Sequence, residues 1–507
     1  MDSHAKTTGS MADIPMADIL FRARIAQKVW ADASYKDRSA CLARAEAYLA
    51  NNGEKISEII HQDTGKLKLD AMATEVLPAA MAIRYYRKQG KRFLSPRPIR
   101  CGNLLLFNKK SRIVYAPFGV IGIISPWNYP FSIPFSEIVM ALLAGNAVVL
   151  KVASSTPTVG RVLEQIFAAA DLPEGLFTHV TLAGKDAGPA FIASGVDKLF
   201  FTGSTEVGRQ LMALAAPRLL PLVLELGGAD AAIIRQDADM DRAVWGMIWA
   251  GFSNAGQSCG GIQRVLVHHT VYDEFLRKLC AAVESLKTAA QMDCDLGPMI
   301  SLRQKAAVRD QVAASVAAGA VIAAKSPGVD LEDDSLFAPA MVLTEVTETM
   351  PVMAEEVFGP VVALMKVEND EEALRIANAC PYALTGSVWS KDRRQARKLA
   401  ARINAGAVMI NDHLMSHGLA ETPWGGFGDS GFGRTHGKDG FREMLKTKVV
   451  VDEILPGIKR NLWWQPYSEN VYQGIRSIFD LAAGTSFFCR LKAIPGVIKI
   501  FFRYWKG

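Results

Sequence analysis

A chain of 507 residues is too long for one simple core, and with half its residues apolar it can bury a large one across two or three structural units. A net charge of +6 is too weak to indicate a nucleic-acid partner. Seven scattered cysteines without a CxxC pair argue against a disulfide framework or a zinc site, so no metal is expected, and they point to a reducing compartment.

The first fifteen residues lack an apolar run of secretory type, so no leader is expected there. Helical spacing marks the first hundred residues, as in Ile25–Lys28–Val29 and Leu42–Ala45–Leu49. Residues 113–136 carry no charge and are long enough to cross a bilayer. Pro117, Pro126, Pro130 and Pro134 do not suit a continuous helix, so the expectation is a buried strand, Val120–Ile124, running into an irregular loop. From about Val114 to Ile234, short β-rich runs alternate with helical segments. They are VIGII from Val120, AVVL from Ala147, THVTLA from Thr178, DKLFFTG from Asp197 and PLVLEL from Pro221. Such alternation predicts an α/β fold with a parallel sheet between helices. A second α/β pattern reaches about Asn411, with helices near 304–319 and 370–379 and strands at Leu384–Val388 and Ala407–Ile410.

The segment after Leu455 differs in kind. From Asp452 to Gly507 there are eight Lys/Arg and four acids, so this stretch holds +4 of the +6, and it is rich in aromatics. In Val497–Lys506 the cations Lys499, Arg503 and Lys506 share one helical face. Val497, Ile500, Phe501, Tyr504 and Trp505 largely cover the other side, and Pro495 suits the opening of such a helix. No uncharged run of about 18 residues occurs there, so spanning is not expected. The expectation for residues 455–507 is an amphipathic extension in peripheral contact with an anionic membrane surface. Its rival is docking on the enzyme itself.

Three short motifs carry candidate chemistry. Cys259 stands among small residues in Asn254-Ala-Gly-Gln-Ser-Cys259-Gly-Gly, which leaves a thiol accessible, though such a cysteine read alone is more often structural. Glu225 is a lone acid closing an apolar strand before Gly227-Gly228. Phe201–Gly208 reads as strand, turn and helix start, whose N–H groups suit a pyrophosphate, although it is not GxGxxG.

Taken together, the motifs stand in one order: Pro126-Trp127-Asn128-Tyr129-Pro130, Gly145–Lys151, Phe201–Gly208, Leu224–Gly228, Gly256–Cys259, Glu355–Pro360 and Gly425–Arg434. In these, from about residue 20 to 452, the sequence resembles the aldehyde dehydrogenase superfamily of hydrolytic type. The resemblance implies a Rossmann-like dinucleotide-binding domain (12–96 and 117–226) and an α/β catalytic domain (227–436). It also implies a small β oligomerisation element (97–116 and 437–454), hence a homodimer or homotetramer. Cys259 is implied as the nucleophile, Asn128 with the Cys259 N–H as the oxyanion hole, and Glu225, 34 residues upstream, as the base that hydrolyses the thioester. Lys151 would hold the adenine ribose, with Trp127, Gly203 and Ser204 near the phosphates. Glu356 would bind the nicotinamide ribose and Phe358 pack beside the nicotinamide.

Two positions depart from the pattern. Ser154 stands where NAD-restricted relatives often carry a Glu, so a 2′-phosphate is not repelled; NAD is expected and NADP is not excluded. Ala229 stands where many relatives have a lysine. Tyr129, Phe131, Ile133 and Phe135 are apolar, and no arginine cluster is evident. A hydrophobic aldehyde, medium- or long-chain aliphatic or aromatic, is therefore favoured. A semialdehyde dehydrogenase is the alternative, as is a CoA-acylating enzyme, which has no need of Glu225. The expected location is the cytoplasm, with the extension peripheral on the cytoplasmic membrane face.

Overall fold

The computed structural model describes residues 15–100, 102, 106–289 and 293–505. The chain divides into two compact units, one of Met1–Leu94 with Ala116–Lys446 and one of Ser95–Tyr115 with Thr447–Gly507. In the larger unit, helices Met16–Asp32 and Tyr35–Thr64 come first. Ser34 caps the second by accepting from Asp37 N, and Gly65 ends it at a φ of +73°. Leu42, Ala45 and Leu49 are buried as their spacing predicts. The first helix has the expected spacing and buries one side. Ile19, Leu20, Ala23, Ala26 and Trp30 are buried, whereas Ile25 and Val29 face solvent. The Trp30 indole fixes this rotation by donating to Leu142 O at 2.8 Å.

The first sheet runs, edge to edge, Gly431–Phe432, Leu222–Glu225, Lys198–Thr202, Val120–Ile124, Ala147–Lys151 and Phe177–His179. All but Gly431–Phe432 are parallel. Numbered along the chain, the five parallel strands lie in the order 3-2-1-4-5 of one half of a doubly wound sheet. Its switch point falls between Val120–Ile124 and Lys198–Thr202, whose carboxyl ends lead into Trp127–Asn128 and Gly203–Ser204. The irregular loop expected after Ile124 is short, because a helix starts at Ser132 and runs to Ala144. Pro134 is tolerated there since the first turn of a helix has no N–H partners to lose. Every residue of this helix is buried, as its apolar character on all sides requires. The strand expected from Thr178 is limited to Phe177–His179.

The second sheet has seven strands, in the order Val321–Lys325, Met341–Thr344, Val361–Val367, Ile262–His268, Asp230–Ile234, Thr385–Trp389 and Ala407–Ile410. Only Val321–Lys325 is antiparallel. Two apolar clusters pack on this sheet. Helix Asp370–Ala379 and strand Ala407–Ile410 have the expected limits.

The smaller unit holds most of a three-stranded sheet, Arg97–Ile99, Lys109–Pro117 and Leu445–Glu453, and two helices, Glu469–Ala483 and Phe487–Phe501. The helices form a close hairpin in which Gly474 faces Ile500 and Gly496 faces Ser477. A Cβ on Gly474 would stand 2.6 Å from Ile500 Cβ, so only glycine permits this approach. Pro495 lies inside the second helix rather than at its opening, and Ser486 caps it instead by accepting from Cys489 N at 3.1 Å. Ile500 and Tyr504, read from sequence as part of an outward apolar side, are buried with Leu462 and Val471. No helix among the described residues is long and apolar enough to cross a membrane.

Candidate active site

Cys259 follows the turn Ser253–Gly256, in which Asn254, Ala255 and Gly256 all have positive φ, at 53°, 53° and 69°. This backbone reverses the chain between helix Met240–Phe252 and strand Ile262–His268 and leaves the thiol at a junction. A Cβ on Gly256 would fall 2.1 Å from the Gly359 carbonyl, so the turn is closed to any larger residue. Cys259 lines two cavities at once, and His417 and Trp424 line both beside it.

The first cavity encloses about 830 Å³, counting solvent at its mouth. Its walls include Leu77, Pro78, Met81, Trp249, Leu414 and Leu419, with no charged side chain among them. Of the apolar residues after Asn128, only Tyr129 reaches it. Phe131 and Phe135 are fully buried in the core, and Ile133 lines the second cavity. The apolar lining therefore comes from segments that no motif marked. His417 adds no charge, because burial pushes its imidazole down to about 4.

The second cavity, about 310 Å³, holds Glu225 and Glu137. Glu225 ends its strand buried, and neither carboxylate oxygen has a hydrogen-bond partner among the described residues. Its pKa is raised well above the ordinary carboxyl value by burial and then by Glu137. Arg434 and the Trp424 indole nearby oppose the rise. Glu137, on the buried helix, is pushed up to about 8 by burial alone. An unpartnered buried carboxyl beside a thiol is placed to take a proton from water or from sulfur. Burial raises the Cys259 pKa strongly, and Glu356, Glu225 and Asp230 raise it further, so a nearby base must activate it.

Asn128 is buried against the cysteine loop. Its Nδ2 donates to Gln257 O at 3.1 Å, and its Oδ1 accepts from Tyr129 N at 3.1 Å. An amide carries two N–H groups, so one remains for an oxyanion. The Asn128 carbonyl accepts from Lys66 Nζ at 2.8 Å and from Asn254 Nδ2 at 3.2 Å. Lys66 is paired with Glu75 at 2.6 Å, and Glu75 in turn accepts from Phe131 N at 2.8 Å. Sequence reading did not find this pair, which belongs to no motif.

Trp127, Lys151, Ser154, Gly203 and Ser204 stand at or just past the carboxyl ends of strands of the first sheet, whereas Glu356 and Phe358 precede strand Val361–Val367 of the second. Ser204 caps helix Thr205–Ala215, whose free N–H groups offer an anion site. Gly203 N donates to Glu225 O at 3.0 Å, tying that turn to the strand that ends at Glu225. Lys151 is buried at its strand end with no carboxylate paired to it among the described residues. Ser154, three residues on, is exposed. Glu356 accepts from Gly228 N at 3.0 Å and packs on Gly227, where a Cβ would stand 2.4 Å from Glu356 Oε2. Trp127 and Phe358 meet edge to face with ring centroids 5.3 Å apart. A helix N-terminus, an ammonium without a paired carboxylate among the described residues, a buried carboxylate and two aromatic rings are groups that suit the parts of a dinucleotide.

A model of the aldehyde dehydrogenase family matches residues 8–450. The chain belongs to the aldehyde dehydrogenase family. Among its relatives, 4,4'-diapolycopene aldehyde oxidase of Methylomonas sp is 34% identical over 467 residues, covering 92% of this chain and 86% of that one. Of solved family structures, betaine aldehyde dehydrogenase of Staphylococcus aureus in complex with NAD+ matches with a TM-score of 0.82. It is 30% identical, with 89% of each chain covered. Succinic semialdehyde dehydrogenase of Streptococcus pyogenes in complex with NADP+ also has a TM-score of 0.82. It is 29% identical, covering 88% of this chain and 96% of that one.

Proposed function

We propose that the protein oxidises a hydrophobic aldehyde to its carboxylic acid, with NAD or NADP as hydride acceptor. The observation that carries this reading is Cys259 at the junction of an uncharged apolar cavity and a cavity holding Glu225. The aldehyde lies in the first cavity with its carbonyl carbon at Sγ. Glu225 takes the thiol proton, sulfur bonds to the carbonyl carbon, and the resulting alkoxide is held by Asn128 Nδ2 and the Cys259 N–H. When bound, the dinucleotide supplies the acceptor for the hydride that leaves this adduct, and a thioester on Cys259 remains. Glu225 releases the thiol proton to solvent; water then enters from its side, gives a proton to the carboxylate and attacks the thioester carbon. The C–S bond breaks, releasing the acid, and Glu225 returns its proton to the Cys259 thiolate.

Lys151 and Ser154 would hold the adenine ribose, Trp127, Gly203 and Ser204 the phosphates, and Glu356 and Phe358 the nicotinamide ribose and ring. Residues 12–96 and 117–226 would form the dinucleotide-binding part and 227–436 the catalytic part. Residues 97–116 and 437–454 would pair subunits in a homodimer or homotetramer. The location in this reading is the cytoplasm, with the extension from residue 455 in peripheral contact with a membrane.

An NADH and NADPH formation assay with hexanal, decanal, benzaldehyde and succinic semialdehyde tests the reading, with and without CoA. The expected result is turnover of the apolar aldehydes above the semialdehyde, independent of CoA. Turnover of the semialdehyde alone would overturn the choice of substrate, since a carboxylated substrate finds no cation in the apolar cavity. A requirement for CoA would remove Glu225 from its role.

A further inference from the structure

In the smaller unit, helix Phe487–Phe501 ends in the short turn Phe502–Tyr504. One side is spent on the hairpin: Ala493, Ile500 and Tyr504 are buried. Positions 488, 491, 495, 498, 502 and 505 step by 3, 4, 3, 4 and 3 residues, which puts Phe488, Leu491, Pro495, Ile498, Phe502 and Trp505 in one stripe. That stripe lies on the side away from the buried residues, and all six face solvent. Phe488 is 73% exposed, Leu491 51%, Ile498 54%, Phe502 57% and Trp505 43%. A six-residue apolar stripe left in water is a cost that a partner surface would remove.

Charge decides which partner. Lys492 and Lys499, each one position past a stripe residue, flank it on one side, and Arg490 flanks it on the other; all three are exposed. Arg503 is turned inward, donating to Trp464 O and, at 3.0 Å, to Pro466 O. From Ser486 to Gly507 there are five cations and no acid. A second copy of this helix would bring cations against cations, whereas an anionic lipid surface offers an apolar interior beneath a layer of negative charge. Long cationic side chains reach that layer while their stems lie along the acyl boundary.

We infer that the stripe Phe488–Leu491–Pro495–Ile498–Phe502–Trp505 is the lipid-contacting face, lying in the plane of an anionic membrane with Lys492 and Lys499 at the headgroups. This rests on the membrane contact proposed above and deepens it by naming the face. The face also differs from the Val497–Tyr504 side suggested by the sequence, which the hairpin consumes.

The test is co-sedimentation of the full chain with vesicles of phosphatidylcholine alone or with phosphatidylglycerol added. Binding to the anionic vesicles is expected, weakening as salt is raised. A Leu491→Glu/Ile498→Glu/Phe502→Glu variant should lose at least tenfold in partitioning. A Lys492→Glu/Lys499→Glu variant, whose side chains are already exposed and whose fold is therefore secure, should fall to the level seen with neutral vesicles. Both should keep the wild-type rate with hexanal. Wild-type protein that stays in the supernatant would overturn the face and the membrane contact together. Wild-type binding that neither variant changes would overturn the face alone. A stripe variant of lower mass by light scattering, with no wild-type binding to vesicles, would instead make the stripe a contact between copies.

Discussion

Lys66 and Glu75, nine residues apart and both without side-chain exposure, form a 2.6 Å ion pair in which each partner also holds the segment bearing Asn128. Lys66 Nζ reaches the Asn128 carbonyl, and Glu75 Oε2 accepts from Phe131 N and, at 3.3 Å, from Ser132 N. A buried charge left without its partner is far more costly than the pair. Lys66→Met should therefore destabilise the protein by about 3–5 kcal/mol, read as a fall in Tm. In the protein that remains folded, kcat should fall because the Asn128 amide is no longer held. Asn128→Ala removes the donor itself and should cost about 10²–10³ in kcat with little change in Tm. Equal kcat for Asn128→Ala and wild type would remove the amide from the oxyanion site.

Glu225→Gln separates the two halves of the reaction. Gln cannot accept the water proton, so hydrolysis of the thioester should stop while a slowed first acylation still occurs. Rapid mixing should show about one equivalent of reduced cofactor per site and then almost no turnover. Cys259→Ala should show neither phase. Steady turnover by Glu225→Gln at the wild-type rate would assign the base elsewhere.

Glu137 sets a pH dependence whose sign follows from its burial. Its folded pKa of about 8 lies above the ordinary 4.5, so the folded state holds the proton more tightly than the unfolded chain. The stability this gives is fully present below about pH 4.5 and is lost as pH rises through 8. The loss is on the order of a few kcal/mol. Gln cannot ionise, so the Tm of Glu137→Gln should overtake that of wild type between pH 6 and pH 9. The same change removes a negative neighbour from Glu225, so the acid limb of the kcat profile should move to lower pH. An unchanged Tm difference and an unmoved limb would show that Glu137 does not ionise in the cavity.

Ser154, exposed three residues past Lys151, is the position at which dinucleotide choice is written in this reading. Ser154→Glu adds a carboxylate that accepts ribose hydroxyls and repels a 2′-phosphate. kcat/KM with NADP should fall at least tenfold while that with NAD holds or rises. Parallel losses with both cofactors would place the adenine ribose elsewhere.

The sheet cores were legible because parallel strands buried on both faces read as unbroken runs of Val, Ile and Leu, and Val120–Ile124 and Ala147–Lys151 lie within those runs. Trp127–Asn128, Gly203–Ser204 and Glu225 were legible as motifs, and the strand order brings all three to one edge. Periodicity alone did not choose between two apolar sides of one helix. Ile25 and Val29 show the helical spacing, yet the helix buries its other side, where the Trp30 indole bonds to Leu142, 112 residues away. The extension fails in the same way, because Gly474 and Gly496 admit close packing only on the side of Ile500. Lys66, Glu75 and Glu137 carry no local pattern. Their meaning depends on neighbours tens of residues away and on the depth at which each is buried.

A sulfur that opens on an apolar chamber on one side and on a protonatable base on the other can keep a record of what it has met. In the proposed mechanism, the enzyme loaded with aldehyde and cofactor at mildly alkaline pH and then acidified would retain the acyl group on Cys259, because a neutral Glu225 would no longer draw a proton from water. The mass added to the peptide bearing Cys259 then equals that of the acyl chain. Exposed in this way to a cell extract, the protein would report its own natural substrate as a number read from a spectrum, without any candidate being chosen beforehand.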